Sequence, residues 1–466
     1  MRTAYTKRAV GQGFGDARLS RRFKEICGLL GQGMCQTIPQ VCLKKSQAKA
    51  VYRFFDHKHI TPQKMLYAHR CEFEAPLLAG VPRRLLQISD STELDYTKKK
   101  GAAQLGSLNY VHQKGMLLHN SVLFNDLGLP VGLLWQSFVI RQDEGFGKSE
   151  ARLSLPIEQK ETYRWLQHFE QGQDFCQKHP GTELVYLADS EADIMELFQS
   201  RREERMHLVV RSKHDRLLAD GSSKLYERVS AQPLAGKYEA RITHPVTQKE
   251  RTATLEVRFC PVELTQHRQV RSKPDRSAVQ LYALQAREID PPADVAEPVE
   301  WVLLTTLPIK SLEDALRVIG YYVLRWLIER FHYLLKSGGA EVEKLQLEKA
   351  TRLQNAVTAY SVAAFKALKI RYWAEKSPES DIYQAGVKPI EHEALYTYAQ
   401  KKVDKDILFD PNKPPSIAQF CMVLGQIGGF FPSKRQCLPG FKILTRSLDK
   451  LKTIVDAYLI FCQRTE

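Results

Sequence analysis

The chain has 466 residues, 43% of them hydrophobic and 26% charged, which describes a folded protein with room for two or three domains rather than a disordered chain or a fibre. It carries 68 Lys and Arg against 53 Asp and Glu, a net charge of +15 that points to an acidic partner, nucleic acid first. No apolar run reaches the roughly 20 residues that span a bilayer, and nine scattered cysteines without a C-x-x-C pair argue against disulfides and structural zinc. The start, Met1 to Arg8, has charges but no hydrophobic segment behind them, so it does not read as a secretory signal. The expectation is a cytoplasmic protein with reduced thiols and no membrane association.

The positive charge is concentrated early: residues 1–75 hold 14 Lys and Arg against five acids. This stretch reads as short helices, one from about Asp16 to Gly31, a second with Ser46 as its N-cap, and a third opening at Thr61-Pro62 with proline at the first helical position. On the second, Lys45, Lys49 and Arg53 recur every four residues and share one face, leaving Val51, Tyr52, Phe54 and Phe55 for a core. Two readings of that face stay open: cations laid on DNA phosphates, or an ordinary solvated surface.

Strands follow from about residue 82. Arg84 to Asp90 reads as a buried strand ending in a carboxylate, and Met116 to Phe124 with Leu129 to Ile140 as a hairpin joined at Asn125-Asp126-Leu127-Gly128. A helix over Glu158 to Lys178 precedes a second strand ending in a carboxylate, Glu183 to Asp189. A helix at Ala192 to Ser200 and a strand at His207 to Arg211 complete a mixed α/β pattern. Residues 214–300 alternate in short stretches (Tyr238 to Ile242, Thr252 to Phe259, Ala278 to Ala286) broken by Lys273-Pro274-Asp275 and Pro291-Pro292, the texture of a β-rich insertion.

After Trp301 to Leu307, one long helix is expected from a cap at Ser311 to Gly338-Gly339, then another over Lys349 to Ala374. In the helical C-terminal part, Leu444, Leu448, Leu451, Val455 and Tyr458 form a stripe too short for a coiled coil. Packing within the chain is the first reading of that stripe, self-association the second.

The long helix is apolar around most of its circumference, so it should be largely buried. Yet Tyr322, Arg325, Glu329 and Lys336 fall within an arc of about 60° at 100° per residue. That stripe is either a structural ion-pair ladder or a metal-binding carboxylate flanked by groups that hold phosphates. Asp90 and Asp189, each at a strand end, bear on the choice, because a pair of Mg²⁺ ions roughly 3.5–4 Å apart needs a few carboxylates and substrate oxygens. Alternatively Asp90 caps a turn and Asp189 is the N-cap of the following helix. Asp95 and Asp193 lie close enough in sequence to be mistaken for either.

These residues carry a resemblance that runs nearly end to end. It takes in Phe14-Gly15-Asp16-Ala17-Arg18-Leu19, Ala50-Val51-Tyr52-Arg53-Phe54-Phe55, Asp90-Ser91-Thr92-Glu93-Leu94-Asp95-Tyr96-Thr97, Gly128-Leu129-Pro130-Val131-Gly132, Asp189-Ser190-Glu191-Ala192-Asp193, Val210-Arg211-Ser212-Lys213-His214, Trp301-Val302-Leu303-Leu304-Thr305 and Gly428-Gly429-Phe430. Its sharpest element is Y-x2-R-x3-E-x6-K at Tyr322, Arg325, Glu329 and Lys336. The chain resembles the bacterial insertion-sequence transposases of the IS-four family, a DDE group.

The resemblance implies an α/β fold with a ribonuclease-H-like catalytic core. It implies an N-terminal helical DNA-binding domain (1–75), a catalytic domain (76–374) with the β-rich insertion at about 214–300, and a C-terminal helical dimerisation domain (375–466). It implies Asp90, Asp189 and Glu329 as a catalytic triad on two Mg²⁺ ions, with Mn²⁺ as a substitute. Tyr322, Arg325 and Lys336 would contact transposon-end DNA, Trp301 would stack on a flipped base rather than fill a core, and Arg211 and Lys213 would lie near the DNA backbone. The implied activity is cut-and-paste transposition by a homodimer that binds double-stranded transposon ends and target DNA. Ser190 and Tyr333 depart from the family, which often has Arg and Lys there. A DNA-binding protein without catalysis, and a nuclease that cleaves without joining, are the alternatives.

Overall fold

The computed structural model describes residues 13–42, 44–78, 83–141, 155–243, 250–265, 277–292, 295, 297–403, 407–410, 413–433 and 436–462. The cations Arg2, Lys7 and Arg8 and the Lys273-Pro274-Asp275 break lie outside these residues. Among the described residues, the cysteines are free thiols, and no helix is long and apolar enough to cross a membrane.

Among the described residues, four helices come first: α1 (Ala17–Gln32), α2 (Ile38–Val41), α3 (Lys45–Phe55) and α4 (Pro62–Leu78). Asp16 caps α1, its carboxylate accepting from the Arg18 N–H at 2.7 Å. Helix α3 begins two residues earlier than expected, with Lys44 at its N-cap, so Ser46 falls inside the first turn. Phe14 ahead of α1, Phe23 of α1 and Phe54 of α3 form one ring cluster, centroids 5.6–6.1 Å apart.

The next elements are β1 (Arg83–Asp95), β2 (Gly106–Ser107), β3 (Lys114–Asn125), β4 (Pro130–Val139), α5 (Tyr163–Lys178), β5 (Thr182–Ala188), α6 (Met195–Gln199) and β6 (Met206–Arg211). Then come α7 (Leu225–Ser230), β7 (Gly236–Thr243), β8 (Glu250–Leu264), β9 (Val279–Glu288) and β10 (Glu300–Thr305). The chain closes with α8 (Leu312–Leu324), α9 (Leu327–Lys336), α10 (Ala350–Lys376), α11 (Pro389–Ala399), α12 (Ile417–Ile427) and α13 (Phe441–Cys462).

Four further elements differ from expectation in ways that have a local reason. Strand β1 runs five residues past Asp90, because Leu94 and Tyr96 beyond it are buried and give the extended chain a core to cover. Helices α5 and α6 start late, each behind a single 3₁₀ turn (Ile157–Gln159 and Ser190–Ala192). The long helix is interrupted: the Arg325 and Trp326 N–H groups bond to Tyr322 and Val323, three residues back instead of four. Trp326 is 57% exposed and Val323 41%, so this stretch is not buried all round as its composition suggested.

The structure divides into two compact units, and the division falls at this interruption. The first comprises Met1–Gly80, Ser91–Phe146 and Leu327–Glu466. In it β3 and β4 form the expected antiparallel hairpin, turned at Gly128 (φ +80°), where a left-handed backbone favours glycine. Helix α10 is buried along most of its length and packs against α1, α4, α12 and β4. Leu444, Leu448, Leu451 and Val455 of α13 are likewise buried inside the chain, which settles their stripe as intrachain packing.

A polar chain crosses this core. Gln136 Nε2 donates to Asn120 Oδ1 (2.7 Å) and Ser361 Oγ (2.9 Å), and Thr358 Oγ1 donates to Gln136 Oε1 (2.8 Å). The Asn120 amide therefore turns its Nδ2 to His332 Nε2 at 3.0 Å, and that nitrogen accepts. His332 sits three residues after Glu329, so the network fixes how α9 is rotated against β3.

The second unit comprises Val81–Asp90 and Gly147–Trp326. Its strands run in the order β1-β5-β6-β10-β9-β8-β7. The first three are parallel and the rest antiparallel. Leu184 to Ala188 of β5 are wholly buried, the continuous apolar run of a strand covered on both faces.

Asp449 of α13 is half-buried beside the turn after α1. Burial pushes its carboxyl up to about 7, against the opposing pull of the Cys35 and Met34 N–H groups. A folded-state value raised above the ordinary 3.8 means that the linked stability is complete below about pH 4 and lost as pH rises through about 7. Asp449→Asn should therefore stabilise the protein at pH 8 by about 1–2 kcal/mol, allowing for the solvent that still reaches the group. The gain should shrink toward zero by pH 4, which thermal melts across that range will measure.

Candidate functional site

The second unit gathers seven of the twelve predicted site residues at or near the carboxyl ends of its parallel strands. Strands β1 and β5 pair from Arg83↔Thr182 to Ile88↔Leu187 without a shift. Carried two residues further, that register sets Asp90 beside Asp189. Adjacent strands lie about 4.8 Å apart, so two carboxylates start from neighbouring backbones on the same side of the sheet.

Both are engaged. Arg325 Nη1 lies 3.2 Å from Asp90 Oδ2, with the two side chains 16% and 14% exposed. Asp189 caps the Ser190–Ala192 turn, its Oδ1 accepting from the Glu191 N–H at 2.9 Å. The capping alternative thus holds for one oxygen of Asp189. It does not hold for Asp90, which lies within a strand and meets a guanidinium.

Arg325 also lies 5.9 Å from the centre of the Tyr322 ring. Tyr322 is buried; burial raises its phenol pKa, while Arg325 and Arg211 pull it down and Asp189 adds to the rise. Trp301, half-buried near the start of β10, meets the Tyr322 ring edge-on at 5.6 Å. Arg211, exposed at the end of β6, donates to the Glu300 carbonyl at 3.3 Å, and Lys213 beyond it is exposed.

The remaining five belong to the first unit. Glu329 and Lys336 lie seven residues apart on α9, two turns along one face. Lys336 Nζ donates to the Glu93 carbonyl at 2.8 Å and lies 3.4 Å from the Glu343 carboxylate. The break at Arg325–Trp326 separates these two from Tyr322 and Arg325, so the predicted stripe is not one face of one helix. On α3, Lys45, Lys49 and Arg53 are all exposed, while Val51, Phe54 and Phe55 are buried.

The two lookalike carboxylates are spent on turns. Asp95 Oδ1 accepts from the Thr97 N–H and hydroxyl at 2.8 and 2.6 Å, which holds its carboxyl below the ordinary value. Asp193 is buried and collects donors from residues 212–216. Its role was missed in the sequence, where nothing links Asp193 to residues 20 positions on.

Among the described residues, no three His, Cys, Asp or Glu side chains gather closely enough to hold a metal ion. Asp90 and Asp189, which the continued register sets side by side, are hard oxygen donors. They suit Mg²⁺, which is commonly held by one or two carboxylates with water and substrate phosphates.

Residues 1–60 match a protein family described as transposase DNA-binding. The matched segment takes in α1, α2 and α3, with the exposed face of Lys45, Lys49 and Arg53. The match supports a transposase, with DNA as its partner.

Replacing Lys45, Lys49 and Arg53 together with glutamine should weaken DNA binding. It should also flatten the dependence of log affinity on log salt by up to about 3, close to 0.9 for each phosphate no longer neutralised. Because all three are exposed, the folding stability should stay within about 0.5 kcal/mol of the parent. Fluorescence anisotropy at several salt concentrations, alongside thermal melts, checks both.

Proposed function

We propose that the chain is a DDE transposase that moves a DNA segment by cut-and-paste transposition, using a ribonuclease-H-like core. The observation that carries this reading is the register that sets Asp90 beside Asp189 at the carboxyl ends of two central strands, with Arg325 against Asp90 and near the Tyr322 ring. A transposase DNA-binding segment at the N-terminus supports it. So does the β-rich run β7–β9, which follows β6, the fifth full-length strand, where the resemblance implies an insertion.

Asp90 and Asp189, with Glu329 as the third carboxylate, would hold a pair of Mg²⁺ ions (or Mn²⁺), which when bound activate an attacking oxygen and stabilise a leaving one. The chain's own groups do the rest. Arg325 keeps the carboxylate edge neutralised and is placed to exchange Asp90 for a phosphate of the DNA end. Tyr322, Lys336, Arg211 and Lys213 bind the backbone around the cut. Trp301 supplies an aromatic ring against which an unstacked base can stack, the bend a hairpin needs.

The reaction this implies begins when water nicks one strand at the transposon end. The freed 3′-hydroxyl attacks the opposite strand to form a hairpin, which is hydrolysed. The resulting 3′ ends then join target DNA. Pairing of two ends requires a homodimer. Leu444 to Val455 are spent inside the chain, so its surface must use other residues; Leu459, Ile460 and Phe461, 38%, 57% and 69% exposed at the end of α13, are the candidates.

Asp90→Ala, Asp189→Ala and Glu329→Ala should each lower Mg²⁺-dependent cleavage of transposon-end duplexes by ~10³-fold or more while leaving end binding intact. Gel assays on labelled ends, with and without the metal, separate the two. Any one of these variants that still cuts at the parent rate removes its residue from the triad.

A further inference from the structure

We infer that Asp193 is a positioning residue that sets the turn after β6 so that Lys213 faces DNA. The inference rests on the reading of Lys213 as a DNA-backbone contact given above.

The geometry is that of a buried anion gripping a loop. The Asp193 side chain is fully removed from solvent. Its Oδ2 accepts from the backbone N–H groups of Lys213 (2.7 Å) and His214 (2.9 Å), and from the Ser212 hydroxyl at 3.4 Å. Its Oδ1 accepts from Arg216 Nη1, while Arg216 Nη2 donates to the Asp193 carbonyl at 2.8 Å. The Arg216 guanidinium is held in turn over the Phe198 ring, 5.9 Å from its centre. A carboxylate is costly to bury unless its oxygens are paired and hydrogen-bonded, and here both are used.

The turn sorts its side chains. Ser212 points inward and is buried, whereas Arg211, Lys213 and His214 are exposed. Two consecutive N–H groups bonded to one oxygen fix the backbone at 213 and 214, and so fix the direction in which the Lys213 side chain leaves it. Asp193 therefore acts on DNA through Lys213. With both oxygens committed to this turn, it is not a further ligand at the Asp90–Asp189 edge.

The test is a double-mutant cycle on the full chain, reading affinity for a mixed-sequence DNA duplex at low salt. Lys213→Gln should weaken binding about 3- to 10-fold, as expected when one phosphate is no longer neutralised. Asp193→Asn should weaken it by a similar factor in the parent and by less than about 2-fold when Lys213 is already glutamine. It should act in full when combined with the α3 substitutions. An equal loss of affinity in the parent and Lys213→Gln backgrounds would assign Asp193 a general structural role and overturn the inference, as would no loss at all. If Lys213→Gln itself leaves affinity unchanged, the Lys213 contact falls first and the inference with it. Should Asp193→Asn fail to fold, Arg216→Gln removes the outer partner and keeps both backbone bonds. A smaller loss with the same dependence on Lys213 supports the proposal, and a loss indifferent to Lys213 sinks it.

Discussion

The unshifted pairing of β1 with β5 is the constraint on which the rest depends. Side chains alternate across a strand, so a slip of one residue in either would turn Asp90 or Asp189 to the opposite face of the sheet. The register is held by apolar residues, Leu85, Leu86 and Ile88 against Leu184, Val185 and Leu187, all buried. Two like charges set side by side repel, and the edge tolerates them because Arg325 comes in against Asp90 and a backbone N–H meets Asp189. A site that concentrates negative charge and holds a cation over it is suited to exchanging that cation for another.

Polar groups buried away from the carboxylates serve to fix directions. In the first unit, the chain of Thr358, Gln136, Asn120 and His332 leaves α9 one rotation in which its donors and acceptors are matched. In the second, Asp193 does the same for the turn after β6. Apolar packing alone is forgiving of small rotations, whereas a buried unmatched donor is expensive. These networks act as rigid supports beneath α9 and the turn after β6.

Much of this was legible in the amino-acid order. Local rules placed Ser311 as a cap, the first helix from about Asp16, Pro62 at the head of α4, and the hairpin at Asn125–Gly128. Period-four spacing separated the exposed cations of α3 from its buried aromatics. The helix interruption at Arg325 was not legible, because neither proline nor glycine stands there to mark a break. The end of β1 was misread because Asp90 looks like a stop in sequence, while burial of Leu94 beyond it carries the strand on.

The sequence by itself determined which residues could do chemistry: three acids, a tyrosine, an arginine and a lysine at distinctive spacings, and a basic N-terminal segment. It could do so because residue type and local periodicity are properties of short stretches. Only the tertiary structure decided which acids stand together and which are consumed. The register of β1 and β5 sets Asp90 beside Asp189, while Asp95 and Asp193 are tied up by turns, the latter by donors some 20 residues away. Hydrogen-bond partners distant along the chain are fixed by packing in three dimensions, and no local pattern records them.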